Sequence, residues 1–288
     1  MMPLLPACSP RGESPTYQSF VRDTPRSTAA PASHRGAILR DVVRHATMAA
    51  SSHNTQPWTF ALGERSITVL PDLSRRLPIV DPDDHHLFVS LGCATENLVH
   101  AALAHGLHAD CAMHADRIDV LLADTGQVQS PLFDAIPTRQ CSRSIYDGQA
   151  ASTSELRLLE EAGRADGVNV IVLTEKAPME TVLEYVARGN TAQLGDAAFV
   201  RELRAWIRFN EADALRTRDG LFSRSTGNPA VPRWLGRLLL GALLTPKSEN
   251  DKCAKQVRSS AGIAIFASDA GRQSDWIQVG RCYERFAL

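Results

Sequence analysis

Cysteine is sparse and unpatterned in this chain. Cys8, Cys93, Cys111, Cys141, Cys253 and Cys282 are scattered, with no CxxC pair and no metal-ligand spacing. A zinc ribbon or finger is thereby excluded, and no disulfide framework is visible, so the thiols read as reduced. His85 and His86 are adjacent, and their side chains diverge rather than converge on one metal; no metal site is expected. Long hydrophobic runs are also missing. No stretch reaches the roughly 18 residues of a membrane span. The most apolar one, Leu235 to Leu244, is interrupted by Gly236 and Arg237 and suits a buried or a lipid-facing helix end equally. An excess of either charge is absent too: 31 Lys and Arg stand against 32 acids, a formal net charge of -1. That balance supplies no pull toward nucleic acid or an anionic membrane, so neither is expected as a partner.

What is present is a core-forming composition. At 44% hydrophobic and 22% charged, 288 residues bury one large core or two modest ones. Residues 1–36 are rich in Pro, Ser, Thr and Arg, carry no apolar block of the signal-peptide kind, and read as a mobile tail. Cytoplasmic localisation is the default expectation, with export as the alternative if the true N-terminus carries a signal.

From Ile38 to Ala50, Leu39, Val42, Val43 and Ala46 fall at helical spacing. Thr59–Leu62 and Ser66–Leu70 flank Gly63-Glu64-Arg65 and predict a β-hairpin. Leu87 to Ala104 is small and apolar, the pattern of a central packing helix, and Gly106 supplies its left-handed cap. Asp119–Leu122 reads as a strand. Farther on, Ser154 is expected to cap a helix through Leu156, Leu158, Leu159 and Ala162, followed by a strand over Asn169–Leu173. Helices are expected over Met179–Ala187 and Asp196–Phe209, and a long loop over Gly220–Trp234, which either covers a site or is a surface excursion. A strand at Gly262–Phe266 and a helix from about Asp275 complete the pass.

Two helices resemble each other. Val89-Ser90-Leu91-Gly92-Cys93-Ala94-Thr95-Glu96 and Ile277-Gln278-Val279-Gly280-Arg281-Cys282-Tyr283-Glu284 bring Gly and Glu into register. Each half runs helix, turn, strand, then the small-residue helix. The expectation is an α+β chain with two copies of one unit, 37–130 and 131–288, the second of which stops at Leu288 before its fold is complete.

Two segments carry candidate chemistry. Ala49-Ala50-Ser51-Ser52-His53-Asn54-Thr55-Gln56-Pro57-Trp58 offers hydroxyl and amide groups in a tight turn between helix and strand. Such groups suit a planar, heteroatom-rich ring; the structural alternative is a capped helix followed by a buried Trp. A helical turn is expected to run into Arg139-Gln140-Cys141-Ser142-Arg143, which sets two guanidinium groups four residues apart on one helical face, where together they can grip a phosphate. The alternative is a solvated basic turn, with Cys141 a small packing residue.

The first segment closely resembles the Ala-Pro-Ser…Asn-x-Gln-Pro-Trp signature of the FMN-dependent nitroreductases, with Ala50 in place of the usual Pro. The second resembles their Arg-Arg-Ser-x-Arg phosphate motif, with Gln140 and Cys141 at the departing positions. The resemblance implies a nitroreductase-like α/β sandwich and assigns ring and ribityl contacts to Ser51, Ser52, Asn54 and Gln56. It assigns the FMN phosphate to Arg139, Cys141 and Arg143. The ring motif lies only in the first half and the phosphate motif only in the second, as in the fused, pseudo-dimeric Acg-like branch. One flavin site between the halves is implied, in a monomer acting as a pseudo-dimer.

The function expected from this resemblance is an FMN oxidoreductase reducing nitro, quinone or similar small acceptors through flavin N5, with NAD(P)H a candidate donor. The alternative is a flavin-sequestering protein without NAD(P)H-driven turnover, with Gly220–Trp234 as its lid. No side chain is assigned a catalytic role, because the flavin carries the redox chemistry; His53 and Arg208 are within the range of residues that could reach a substrate. Missing C-terminal contacts imply weak FMN retention by this exact chain.

Overall fold

The computed structural model describes residues 35–288, without the side chains of 240–243. The expected tail lies outside the described residues, except that Arg35 and Gly36 already belong to the first helix. That helix, α1 (Arg35–Ala46), buries Leu39, Val42, His45 and Ala46 on one stripe. The hairpin follows as β1 (Trp58–Leu62) and β2 (Ser66–Pro71), antiparallel with Trp58 opposite Pro71. Asp81 then caps α2 (His85–Ala104): its carboxylate accepts from the backbone N–H of His86 and Leu87, both at 3.0 Å. Gly106, at φ +74°, turns the chain out of α2.

β3 (Leu107–Met113) and β4 (Ile118–Asp124) complete a four-stranded sheet in the order β1-β2-β4-β3. β3 was not expected from the sequence, because His108 and Asp110 break its apolar pattern; its ladder with β4 holds it from Leu107↔Asp124 to Met113↔Ile118. One face of the sheet, with Ile67, Val69, Ile118, Val120 and Leu122, is buried in one cluster with α1 and α2. Full burial of each such side chain is worth roughly 1.5–3 kcal/mol, so this cluster is the energetic centre of the fold. Among the described residues α2 is the one helix long and apolar enough to cross a membrane; it is the buried core helix of this cluster.

After the short α3 (Pro131–Ala135), the chain from Arg139 to Ala151 has no regular structure. α4 (Thr153–Ala162) starts one cap earlier than expected. Ser152, not Ser154, accepts from the Glu155 backbone N–H, and Glu155 accepts in return from the Ser152 N–H, a complete capping box. β5 (Val168–Leu173) pairs antiparallel with β8 (Ile263–Ser268). Between them stand α5 (Lys176–Gly195), α6 (Ala197–Trp206), β6 (Ile207–Arg208), α7 (Glu211–Thr217), β7 (Leu221–Phe222), α8 (Arg233–Leu243) and α9 (Pro246–Ser259). The expected loop over 220–234 therefore contains β7, a 3-10 turn at Ser223–Thr226 and the start of α8. The helix expected over Met179–Ala187 is longer than its apolar pattern, and α9 lacked a clear apolar stripe.

α10 (Gln273–Ala287) packs along α2. A Cβ on Gly92 would fall on the Ile277 carbonyl oxygen and lie 2.9 Å from Gly280 Cα; one on Gly280 would fall on the Val89 carbonyl oxygen. The two helices that resemble each other in sequence are thus the two that meet, glycine on glycine.

Candidate functional site

The Ser51–Gln56 turn is held in an unusual backbone conformation. His53, Asn54 and Gln56 all have positive φ, at 50°, 51° and 52°. Each such non-glycine residue costs on the order of 1–2 kcal/mol unless its surroundings compensate. The compensation is visible. Gln56 N donates to Ser51 Oγ at 3.1 Å, and Ser52 N donates to Ser90 Oγ on α2 at 3.4 Å. Asn54 Nδ2 donates to Gly220 O at 3.2 Å while Gly220 N donates to Asn54 O at 3.0 Å. Gln56 Nε2 donates to Arg218 O at 2.7 Å.

The loop from Arg218 to Gly220 is thereby tied onto the turn, and Asp219 reinforces the tie. Its carboxylate lies 2.5 Å from Arg75 Nη2 and 2.6 Å from Arg208 Nη2. Arg75 Nε in turn donates to Thr55 O at 2.5 Å. Burial acts to raise the Asp219 carboxyl, yet hydrogen bonds from Arg208 and Thr217 outweigh it and hold the group below its usual range. Arg208, named from the sequence as a group that could reach a substrate, is committed to this clamp.

The phosphate-motif arginines are not on one helical face, because their segment is irregular. This corrects the helical expectation, and the two side chains sit in different surroundings. Arg139 is half-buried, its side chain more so than its backbone: Nε lies 2.9 Å from Glu284 Oε1, and Nη2 donates to Met48 O at 2.9 Å. Glu284 Oε2 accepts from Ala50 N at 3.4 Å, so the pair grips the backbone just before Ser51. Burial pushes the Glu284 carboxyl above its usual range, against the opposing charge of Arg139. Beside them burial also lifts the Tyr283 hydroxyl to about 12. Cys141 is exposed and accepts from Arg139 Nη1 at 3.7 Å.

Arg143 is exposed, and among the described residues its guanidinium has no acid partner. It lines a cavity of about 340 Å³ together with His53. One side of the cavity is apolar, with Phe199 and Leu203 of α6, Phe209, and Leu239 of α8, and another is polar, with Asn190, Gln193, Asn228 and Gln256. His53 Nδ1 is buried without a hydrogen-bond partner. Burial, and then the charge of Arg143, push its imidazole below the usual histidine value.

The structure therefore brings the two motif segments together at Met48–Ala50, and at the cavity only through His53 and Arg143; Ser51, Ser52, Asn54, Gln56, Arg139 and Cys141 do not line it. Asn54 and Gln56 are engaged with the 218–220 loop. Sequence reasoning missed Glu284, Asp219 and Gly220. Glu284 had a signal, its register with Glu96; the other two, lying in an irregular loop, had none. Five described cysteines are free thiols and no metal-ligand cluster occurs among the described residues.

No family model matches the chain. Two curated proteins of Mycobacterium tuberculosis, from strains CDC 1551 / Oshkosh and H37Rv, are each 25% identical to it over 222 residues. Both carry the name "Putative NAD(P)H nitroreductase", and the match covers 73% of this chain and 62% of theirs. The chain therefore spans somewhat under two thirds of the length of the curated relatives it matches, and its likeness to them supports a nitroreductase-type relationship.

Proposed function

We propose that this chain is an FMN-dependent oxidoreductase of nitroreductase type. One observation carries the reading: the ring-motif turn and the phosphate-motif segment, some ninety residues apart, meet in space, with His53 and Arg143 lining one cavity. Its volume falls within the range of small-molecule sites, roughly 300–1,000 Å³. The unpartnered His53 Nδ1, and Arg143 with no acid partner among the described residues, are polar groups of the kind a bound anionic heterocycle satisfies. When bound, FMN would supply hydride acceptance at N5 and onward electron transfer to a small nitro, quinone or similar acceptor.

The chain's own residues bind and orient. Ser51 and Ser52 stand at the turn, held by Ser90 and by the Gln56 N–H. Asn54 and Gln56 fix the loop that closes over the turn. Arg143 offers a cation to an anionic group, and the apolar helices exclude water. The two halves, 37–130 and 131–288, read as copies of one unit, supported by the reciprocal contacts of Gly92 and Gly280. In that reading the monomer acts as a pseudo-dimer, with NAD(P)H as donor, as the relatives' names suggest.

A second reading, a flavin-holding protein without NAD(P)H-driven turnover, has its own support. Leu221, Ser223, Thr226, Asn228 and Val231 from the 220–234 stretch all line the cavity, so the stretch proposed as a lid forms part of its wall. The test is a visible absorbance spectrum of the purified protein before and after adding FMN. Flavin bands of bound FMN are expected on adding excess FMN, with loss on gel filtration in keeping with weak retention; a protein that takes up none at saturating FMN overturns both readings. Rapid bleaching by NADH or NADPH then selects the enzyme, and bleaching by dithionite alone selects storage.

A further inference from the structure

The resemblance treats Arg139 and Arg143 as one pair of phosphate ligands. We infer that they have separate jobs: Arg139 is a strut that positions the Ser51–Gln56 turn, and Arg143 alone is the anion-recognising residue of the cavity. The inference rests on the flavin reading only for the identity of the anion.

The strut is an ion pair whose charges meet within the protein, although Arg139 Nε and Glu284 Oε1 do not align as a hydrogen bond. The Arg139 side chain is 9% exposed and that of Glu284 is 0% exposed, with 2.9 Å between Nε and Oε1. Each partner also holds backbone at the entry to the turn, Arg139 through Met48 O and Glu284 through Ala50 N. With Nε facing Glu284 and Nη2 on Met48 O, a phosphate finds only Nη1 of Arg139, beside the exposed Cys141 Sγ; a two-pronged grip would displace Glu284 and strand a buried carboxylate. Stranding a buried charge is among the costliest changes a core can suffer, whereas the existing pair leaves neither charge alone. α10 cannot retreat to make room, because Gly280 lies against the backbone of α2.

Arg143 has the opposite surroundings. It carries no acid partner among the described residues, and it faces a cavity whose other charged groups cancel, Lys252 Nζ lying 2.8 Å from Glu249 Oε1. His53 Nδ1, buried and unpartnered, lines the same cavity. A cation without an acid partner among the described residues, set against a partly apolar wall, suits an anionic oxygen group on a planar, largely apolar body. FMN is such a molecule, and so is a simple aromatic carboxylate.

Comparing FMN with riboflavin, which lacks the phosphate, separates the two jobs. Arg143→Gln is expected to weaken FMN about tenfold or more, the worth of one charge-assisted hydrogen bond, while leaving riboflavin nearly unchanged. Arg139→Gln is expected to weaken both flavins by the same factor and to lower Tm. Adding Glu284→Gln to Arg139→Gln is expected to restore part of both, since it removes the stranded carboxylate. Loss of FMN but not riboflavin binding in Arg139→Gln would overturn the strut, as would a double variant no more stable than Arg139→Gln alone. If the native protein takes up neither flavin, the flavin reading fails, and the inference is still decided. The strut is then read from the Tm comparison and from faster amide exchange at Ala50 in Arg139→Gln. The anion site is read from calorimetric titration with 2-naphthoate against uncharged 2-naphthalenemethanol. Tighter binding of the naphthoate, lost in Arg143→Gln, supports it, and equal binding of the two sinks it.

Discussion

Gly92 on α2 and Gly280 on α10 are reciprocal contacts: a side chain on either would strike the carbonyl oxygen three residues before the other, at Ile277 and Val89 respectively. The same reciprocity extends one turn along. Glu96 is held by Arg281 and Arg285 of α10, and Glu284 lies beside Cys93 and Asn97 of α2. Contacts of this i-to-j and j-to-i kind are what a two-fold axis produces, and they are the support for the proposed duplication.

Because the obstruction at both glycines is backbone, it cannot be relieved by a rotamer change. Gly280→Ala and Gly92→Ala are each expected to cost about 3 kcal/mol or more, as over-packed cores do, and to lower Tm by roughly 6–12 °C. Gly189→Ala on α5 is the control: nothing lies within 4 Å of its added Cβ, and helix propensity alone favours Ala by up to about 1 kcal/mol. Thermal melts showing all three alike would contradict the glycine-on-glycine crossing.

That α2 packs closely was legible from residue types alone, because a helix that must approach another closely has to be written in Gly, Ala, Ser and Cys; that its partner is α10 was not. The hairpin around Gly63–Arg65 was legible for a similar reason, two short β-rich runs with a turn between them. The irregular 139–151 segment was not. Arg139 and Arg143 carry helical spacing, and only tertiary contacts decide that the chain there runs without helix. β3 failed in the same way, its polar His108 and Asp110 being tolerated because that sheet face is open to solvent. The motif residues Ser51, Ser52, Asn54 and Gln56 were found through resemblance, but the partners of the two amides, Gly220 and Arg218, are more than 160 positions away. No local pattern encodes such a distance.

The tie between turn and loop depends on Asp219. Removing its charge with Asp219→Asn leaves Arg208 and Arg75 competing for one neutral amide, at an expected cost of about 1–3 kcal/mol. The loss should be local, so limited proteolysis near Arg216 and Arg218 is expected to speed up more than Tm falls. Gly220→Ala is expected to behave likewise, since Gly220 has φ +77° and its Cβ would meet Trp206 O and Arg208 Cζ. Unchanged cleavage in both variants would mean that the loop is held by something other than this clamp.

Acid stability should depend on Glu96. Burial acts to raise its carboxyl, but hydrogen bonding from His100 and the charges of Arg281 and Arg285 bring it from 4.5 down to about 2. A folded value below the unfolded one stabilises above the unfolded pKa and is lost as pH falls through the folded pKa. The window is therefore about pH 4.5 down to about 2. Glu96→Gln is expected to cost about 3 kcal/mol at pH 7 by this linkage alone, and the gap to the native protein should close across that window. Urea titrations at pH 7, 4 and 3 check it; a gap that stays constant with pH would show that the arginines do not depend on the carboxylate's charge.

The cavity can be tested without any flavin, through His53. Its imidazole is held below the usual histidine value first by burial and then by the charge of Arg143, with Glu202 acting in the other direction. Arg143→Gln removes the charge and leaves the burial, so the histidine pKa should rise without reaching its usual value. Lys252→Gln is the matched control: Lys252 lines the same cavity, but its charge is already answered by Glu249 and is not among the influences on His53. An NMR titration of the His53 ring proton distinguishes them. A rise in Arg143→Gln and none in Lys252→Gln would establish that the uncompensated cation of the cavity is Arg143 and that it acts on the turn that carries the ring motif. No movement in either variant would put the guanidinium out of electrostatic reach of His53, and the anion would then have to be recognised elsewhere.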